Sequence, residues 1–389
     1  IGHYILLGNV GVMKRIAILG STGSIGRQTL DVVRAFPAEF DVVALSAWNN
    51  RDLLLKQAEE FHPTLLWSKV QWPPECLPRG TQVADNLTEI VTNDNVDLIV
   101  QGMVGNIGLL PTLEALEAGK KVAMANKEPF VIAGELLTEA AARGGGQLLP
   151  VDSEPSAIWQ CLQGEETQSS VRRLIITASG GALRHLALGE IAKVTPDQAL
   201  KHPTWNMGRK ITIDCATLMN KGFEVIESHW LFGMPWEQLD VVIHHQSIIH
   251  SMVEFTDGSM KAQMGEPDMR LPIQYAMFYP QRMASEKTPR FDPILTGSLT
   301  FEEMDPQRYP CFVTALEAGH AGGTYPTVLS ASDEVAVDLF LQGRIGFMDI
   351  HRLVASTLES HNSISRPTLD DILSADEWAR QIVRTAAEQ

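Results

Sequence analysis

The sequence predicts an α/β chain in three parts: a mainly parallel sheet covered by helices, a second α/β domain, and a C-terminal α-helical bundle. Three observations carry this. From Met13 to Pro150, short apolar runs alternate with helical patterns, the signature of βαβ units. From Val151 to Phe278 the pattern changes to longer strand and helix signals around a polar, aromatic-bearing loop. From about 306 to 389 the periodicity is helical with few strand signals. The stretch 279–305, rich in Pro, Thr and charge, reads as a linker. A chain of 389 residues has room for two or three domains at roughly 150 residues each.

Each element follows in order. KRIAIL at 14–19 reads as a buried strand and SIGRQTLDVVRAF at 24–36 as a helix stopped by Pro37. FDVVALSA at 40–47, RDLLLKQAEEF at 51–61, DLIVQ at 97–101 and KVAMA at 121–125 continue the alternation. In the second domain, RRLIITAS at 172–179 reads as a strand and KHPTWNMGRK at 201–210 as a loop. DCATLMNKGFEVIESHWLFG at 214–233 reads as one long helix, and 241–264 as strands joined by an Asp-Gly-Ser turn.

Composition excludes several classes of function. The formal charge is −16, with 47 acidic against 31 basic residues and no Lys/Arg-rich run, so nucleic acid and anionic membranes are not expected partners. No apolar stretch approaches the roughly 20 residues of a membrane helix. Cys76, Cys161, Cys215 and Cys311 form no C-x-x-C pair, so no zinc or redox motif is expected, and free thiols fit a reducing cytoplasm. Residues 1–12 lack a basic n-region and a small-residue cleavage site; no signal peptide is expected, and Met13 reads as the natural start.

Gly20-Ser-Thr-Gly23-Ser-Ile-Gly26 follows a strand and opens a helix. Such a turn lets the backbone approach a pyrophosphate that sits on the helix N-terminus. The spacing is G-x-x-G-x-x-G, and an unliganded βα turn is the alternative. At the end of the second strand, Trp48-Asn49-Asn50-Arg51 carries no acid to hold a ribose hydroxyl, which favours NADP over NAD. Asn126-Lys127-Glu128 follows another strand, where such sheets face their ligand crevice; ordinary surface charge is the alternative.

Asp152 and Glu154 lie two apart, so in an extended segment both carboxylates converge on one hard cation such as Mg²⁺ or Mn²⁺. A capped helix start is the bland alternative. Asn220, Lys221 and Glu224 share a helix face among apolar residues, suited to a substrate oxygen or phosphate, or forming only a surface ion pair. The loop bearing His202, Trp205, Met207, Gly208 and Arg209 has the makings of a lid over a small anion. Trp205 could equally be buried against the core. Ser179-Gly180-Gly181 offers backbone amides to a phosphate, or is a simple turn.

GSTGSIG, ANKE, PVDSE, ASGGALR, HPTWNMGRK, NKGFEVIE, HQSIIHSMVEF and GEPDMR occur in one order, and PTVLSASDEVAV follows them. This set resembles the 1-deoxy-D-xylulose 5-phosphate reductoisomerase family from Met13 into the C-terminal part. The resemblance implies a Rossmann-like NADP-binding domain at 13–150, a catalytic domain at 151–278 and a helical domain at 306–389, in a homodimer. It implies NADPH and a divalent cation as cofactors and a phosphorylated sugar as substrate, in non-mevalonate isoprenoid biosynthesis. Metal ligands would be Asp152, Glu154 and Glu224, with Lys127, Glu154 and Glu224 catalytic. Substrate contacts would be Lys127, Ser153, Glu154, Ser179, His202, Trp205, Cys215, Asn220, Lys221 and Glu224. Cofactor contacts would be Thr22, Gly23, Ser24, Ile25, Trp48, Asn49, Asn50, Asn126, Glu128 and Gly208. Cys215 stands where the family usually has a Ser that contacts the phosphate. Trp48 replaces a frequent Gly, and Pro155-Ser156 a frequent His-Asn. Another two-domain NADP dehydrogenase and a silent NADP sensor are the competing readings.

Overall fold

The computed structural model describes residues 13–70, 77–205 and 207–388; the readings made on residues 1–12 and on Cys76 lie outside them. The first sheet holds β1 (Lys14–Leu19), β2 (Phe40–Ala47), β3 (Leu65–Ser68), β4 (Gln82–Val83), β5 (Leu98–Gln101), β6 (Lys121–Met124) and β7 (Gln147–Pro150). Their order is β4-β3-β2-β1-β5-β6-β7, and every neighbouring pair is parallel. The chain leaves β1 towards β2 and later returns on its other side through β5. That switch in direction leaves a crevice beyond the carboxyl ends of β1 and β5, where open α/β sheets bind ligands.

The turn after β1 needs glycine for a steric reason. Gly20 has φ 79°, and a Cβ there would lie 2.8 Å from the carbonyl oxygen of Gly102. Gly23 then serves as an extended N-cap of the helix Ser24–Ala35 without any side-chain cap. The first-turn N–H groups of that helix therefore point into the crevice with no side chain competing for them.

The second sheet holds β8 (Val171–Ala178), β9 (Leu239–Ile243), β10 (Ile249–Phe255), β11 (Met260–Met264) and β12 (Glu302–Glu303), in the order β11-β10-β8-β9-β12. Only β8 and β9 pair in parallel; the other pairs are antiparallel. The Asp-Gly-Ser turn joins β10 to β11, with Asp257 Oδ1 accepting from the Ser259 amide at 2.8 Å. The stretch 279–305 contains a helical turn, Pro293–Thr296, and contributes β12 to this sheet.

One helix over 214–233 was expected, and two are found: Arg209–Thr217 and Met219–Phe232. Leu218 separates them in the left-handed region, φ 56° and ψ 15°. That conformation costs a non-glycine residue about 1–2 kcal/mol. Leu218 is 2% exposed, and burying a leucine returns about 1.5–3 kcal/mol. No glycine or proline marks the break, so periodicity alone runs straight through it.

A second irregularity lies in the helix Glu128–Gly144, where Ala133 has non-helical dihedrals, φ −151° and ψ 34°. The ring of Trp230 lies against Gly134, where any Cβ would collide with it. Thr327 Oγ1, from the helix Tyr325–Leu341, donates to the Ile132 carbonyl at 3.1 Å. The C-terminal helices Pro310–Ala321, Tyr325–Leu341, Phe347–Glu359 and Leu369–Ala386 pack on this side. Met124 of β6, Phe130, Phe223, Ile226, Phe340 and Leu353 belong to one contiguous apolar core. The first sheet, the helix Met219–Phe232 and the C-terminal helices are thus held by the same packing.

Candidate active site

Three elements bring five charged side chains together. After β7, Asp152 caps the helix Ser153–Cys161, accepting from the Ser153 amide at 3.0 Å, and Glu154 lies in its first turn. The two carboxylates therefore converge from a helix start, not from the extended segment expected: the cap bends the chain so that both face the same space. Asn220, Lys221 and Glu224 project from the first turns of the helix Met219–Phe232. Lys127 arrives from the turn between β6 and the helix Glu128–Gly144. Ligand atoms of Asp152, Glu154 and Glu224 all lie within 4.8 Å of one another. Lys127 Nζ is 2.5 Å from Asp152 Oδ2 and 2.9 Å from Glu224 Oε1. Lys221 Nζ is 2.9 Å from Glu154 Oε1 and also pairs with Glu224. Lys127 further donates to Asn220 Oδ1 at 2.8 Å.

Burial sets the charges of this cluster. Desolvation alone would strip the proton from Lys127, but Asp152, Glu224 and Glu227 outweigh it and hold its proton well above the usual lysine range. Desolvation would likewise raise Glu224, but Lys127 and Lys221 overcome it and keep this carboxylate ionised. Asp152 is pushed up to about 6, by burial first, against the pull of Lys127. Glu227 went unnoticed in the sequence, where it reads as one more helical acid. It is fully buried, neither carboxyl oxygen has a hydrogen-bond partner among the described residues, and burial followed by Asp152 pushes its carboxyl well above the usual carboxylate range.

Across the cavity, Ser179 Oγ lies 3.0 Å from His202 Nε2 and accepts from the Gly181 amide at 3.2 Å. His202 Nδ1 accepts from the amides of Thr204 at 3.2 Å and Trp205 at 2.9 Å. The imidazole proton therefore sits on Nε2 and points at Ser179. Burial, then Arg184, lowers this histidine to about 4, so it is neutral at physiological pH. Gly181 has φ 68°, and a Cβ there would lie 2.7 Å from Ala216 Cα, which seats the turn against the helix carrying Cys215. Trp205 faces His250 with ring centroids 6.2 Å apart.

His250 gives a stability prediction. It is 5% exposed, and burial lowers it from 6.5 to about 4 against the backbone groups of Gly265 and Glu266. The unfolded chain gains this proton first, so the contribution is complete above pH 6.5 and is lost as pH falls towards 4. At pH 5 the loss is about 2 kcal/mol. Denaturant midpoints at pH 7 and pH 5 should differ less in His250→Gln than in the wild type; an unchanged difference would contradict the assignment.

One cavity of about 1220 Å³ joins these groups to the glycine turn. Its walls include Gly23, Ser24 and Ile25 at one end, and Asn126, Lys127, Glu128, Gly208 and the three carboxylates in the middle. Ser153, Ser179, His202, Trp205, Cys215, Asn220 and Lys221 complete the other end. Thr22, Trp48, Asn49 and Asn50 are not part of this wall. Asn50 instead caps the next helix by accepting from the Leu53 amide at 3.2 Å, and Trp48, 37% exposed, has Lys69 Nζ 4.3 Å over its ring. Met103 lines the cavity without any local mark in the sequence, and Ser247, Met269 and Arg270, which lie in HQSIIHSMVEF and GEPDMR, line it without having been assigned a role.

The donor set fits a hard divalent cation: three carboxylates whose ligand atoms lie within 4.8 Å of one another. The glycine turn fits a dinucleotide: uncapped helix N–H groups open on the cavity, and Asn126 Oδ1 is buried without a partner beside it.

Comparisons with known proteins agree with this arrangement. Family profiles described as 1-deoxy-D-xylulose 5-phosphate reductoisomerase and its C-terminal domain match residues 16–134 and 148–232. A third, described as the DXP reductoisomerase C-terminal domain, matches 264–382. The reductoisomerase of Bacillus cereus strain Q1 is 49% identical over 379 residues, covering 95% of this chain and 99% of its own. The chain belongs to the 1-deoxy-D-xylulose 5-phosphate reductoisomerase family. The Desulforamulus reducens reductoisomerase is 50% identical over 95% of this chain and 98% of its own. The Zymomonas mobilis reductoisomerase in complex with NADPH superposes with a TM-score of 0.89 at 38% identity, over 97% of this chain and 100% of that one. A reductoisomerase bound to NADPH, fosmidomycin and magnesium gives 0.89 at 35% identity, over 97% and 98%.

Cys215 stands where the family resemblance leads one to expect a serine. It lines the cavity, and burial, then Glu224, pushes its thiol far up, so it stays neutral. A thiol is a weak donor, and a hydroxyl would donate more strongly to a phosphate. Hydrogen bonds to charged groups contribute about 1.5–3 kcal/mol, and Ser179, Asn220 and Lys221 would share that load. Cys215→Ser is expected to lower the substrate Michaelis constant by up to about tenfold and to leave NADPH affinity unchanged. A lower Tm with an unchanged Michaelis constant would show that Cys215 serves only as packing.

Proposed function

We propose that this chain binds NADPH along the glycine turn and 1-deoxy-D-xylulose 5-phosphate beside Asp152, Glu154 and Glu224, and converts the sugar to 2-C-methyl-D-erythritol 4-phosphate. The observation that carries the reading is the convergence of three carboxylates and two buried lysines in the same cavity as an uncapped, glycine-rich helix start. Asp152, Glu154 and Glu224 hold a divalent cation, Mg²⁺ or Mn²⁺, which supplies Lewis acidity and a template for the ketone and its neighbouring hydroxyl. NADPH supplies the hydride for the aldehyde formed on rearrangement.

The chain's own residues do the rest. Lys127 and Lys221 orient substrate oxygens and offset negative charge developing beside them. Ser179, His202, Asn220 and Lys221 hold the phosphate, remote from the reacting carbons, with Cys215 beside them. Binding there provides energy to close the loop bearing His202 and Trp205 and to exclude water. Gly23, Ser24, Ile25, Asn126, Glu128 and Gly208 receive the cofactor, with Thr22, Trp48, Asn49 and Asn50 at the rim of the adenosine end. Residues 13–150 form the cofactor domain, 151–278 the metal and substrate domain, and 306–389 the helical domain.

The enzyme acts as a cytoplasmic homodimer in the non-mevalonate route to isoprenoids. The free thiols Cys161, Cys215 and Cys311 support a reducing compartment. The exposed Met260 and Met264 on edge strand β11, with Ile294, Leu295 and Phe301, support a second copy as partner. No helix among the described residues is long and apolar enough to cross a membrane. The decisive assay is NADPH oxidation with 1-deoxy-D-xylulose 5-phosphate, with and without Mg²⁺. Oxidation that needs both sugar and metal is expected; NADPH binding without turnover would overturn the reading.

A further inference from the structure

A second buried charge cluster lies at the foot of the loop bearing His202 and Trp205. Lys210 and Asp214 stand one turn apart on the helix Arg209–Thr217, while Asp333 comes from the C-terminal helix Tyr325–Leu341. Lys210 Nζ is 2.5 Å from Asp214 Oδ2 and 2.9 Å from Asp333 Oδ2. Asp333 is 0% exposed and Asp214 2%. Among the described residues, Asp214 Oδ1 and Asp333 Oδ1 meet no hydrogen-bond donor outside the cluster. The same ammonium lies 5.0 Å over the ring of Phe223, the residue before metal-site Glu224.

The cluster costs more than an apolar seam of the same volume would. Two buried acids face one cation, and such a pair adds little net stability over well-packed hydrophobic residues. What it adds is direction: one ammonium fixed by oxygens from two helices has a single place to sit. Its neighbours make that place matter. Gly208, the N-cap of the helix Arg209–Thr217, and Lys210 both line the cavity. Glu334, the residue after Asp333, pairs with Arg380 at 2.7 Å, and its Oε2 lies 3.4 Å from where a Cβ on Gly105 would stand. The helix Tyr325–Leu341 thus touches the loop after β5 with one residue and the foot of the lid with the residue before it.

We propose that Asp333 is a positioning residue for the lid: through Lys210 it fixes the first turn of the helix Arg209–Thr217, so that Gly208 stays still while the loop bearing His202 and Trp205 closes on the ligand. This rests on the reading of that loop as a lid. Burial, with Asp333 next, raises Asp214 well above the usual carboxylate range, and burial raises Asp333 as well, while Lys210 draws both back down. If the fixed end is released, the closed state becomes less populated, and apparent substrate affinity falls by that fraction.

The test uses the full chain with Mg²⁺ and NADPH. Asp333→Ala is expected to raise the Michaelis constant for 1-deoxy-D-xylulose 5-phosphate by about tenfold, with kcat changed less than about threefold. Asp333→Asn keeps an oxygen for Lys210 and is expected to restore the wild-type Michaelis constant to within about threefold. Lys210→Met, in which the two acids can share protons, is the second disrupting variant and should behave like Asp333→Ala. A lowered Tm in Asp333→Ala or Lys210→Met with an unchanged Michaelis constant would overturn the positioning role. Hydrogen exchange in the peptide containing His202 and Trp205, with and without fosmidomycin, separates the two readings. Protection on fosmidomycin binding is expected in the wild type and reduced in Asp333→Ala. No protection in the wild type would overturn the lid reading itself, and the proposal with it.

Discussion

Glu224→Gln is expected to abolish turnover while leaving NADPH binding in place. Glu224 is the one metal-site carboxylate that pairs with both buried lysines, and it is 1% exposed. On the proposed metal assignment, a glutamine there removes a charged ligand from a site whose cation would contribute several kcal/mol to the transition state. At 1.36 kcal/mol per tenfold, the loss is about 10³-fold or more in kcat. The fold should survive, because Lys127 keeps Asp152 and Lys221 keeps Glu154. The glycine turn belongs to the first sheet and does not touch this change. Cofactor titration beside a turnover assay measures both quantities, and near-normal turnover would refute the metal assignment. Asp152→Asn is expected to behave in the same way.

Lys127→Met should lower stability in a metal-dependent way, in addition to the loss of turnover that its place in the site implies. The lysine is 5% exposed between Asp152 and Glu224, with Glu227 behind it. Removing it leaves these acids to Lys221 alone, and breaking a buried pair costs about 3–5 kcal/mol. Two compensations are expected. Mg²⁺ should raise Tm more in the variant than in the wild type, because the cation replaces the missing charge. The deficit should also be smaller at pH 6 than at pH 8, because buried acids whose folded pKa is raised above the unfolded value destabilise only where they must ionise. Equal Tm for both proteins in metal-free buffer would show that Lys127 does not hold this cluster together.

The parts of the molecule that could be read from the sequence are those set by local pattern. The strands expected at 14–19, 40–47, 97–101 and 121–125 are found within a residue of those bounds, whereas none was expected at β3, β4 or β7. Asp152, Glu154, Asn220, Lys221 and Glu224 were visible as residue types at telling spacings. Their geometry was not. Asp152 and Glu154 meet at a capped helix start, an arrangement that the same two-residue spacing also permits. Leu218 breaks a helix with an ordinary apolar side chain because the core on both sides demands it. Glu227, Asp333 and the close approach of Lys210 depend on partners contributed by distant elements, and no window of periodicity contains such pairs. The family resemblance supplied roles for some residues of its motifs, while Glu227 in NKGFEVIE and Asp333 in PTVLSASDEVAV gained theirs from the packing alone.

The bend at Ala133 bears on where this chain can be cut. A helix that begins beside Lys127 changes course after one and a half turns, and the carbonyl at the bend takes its hydrogen bond from Thr327, 195 positions along the sequence. Shortening the protein before Tyr325 would therefore leave that oxygen in an apolar cavity without a partner, at a cost of about 1–3 kcal/mol, and would uncover Phe130 and Phe223 together. The last fifth or so of the chain is not a detachable appendage: an amino-terminal fragment ending near residue 305 would keep every candidate metal ligand yet lack the wall against which Lys127 and Glu224 are set.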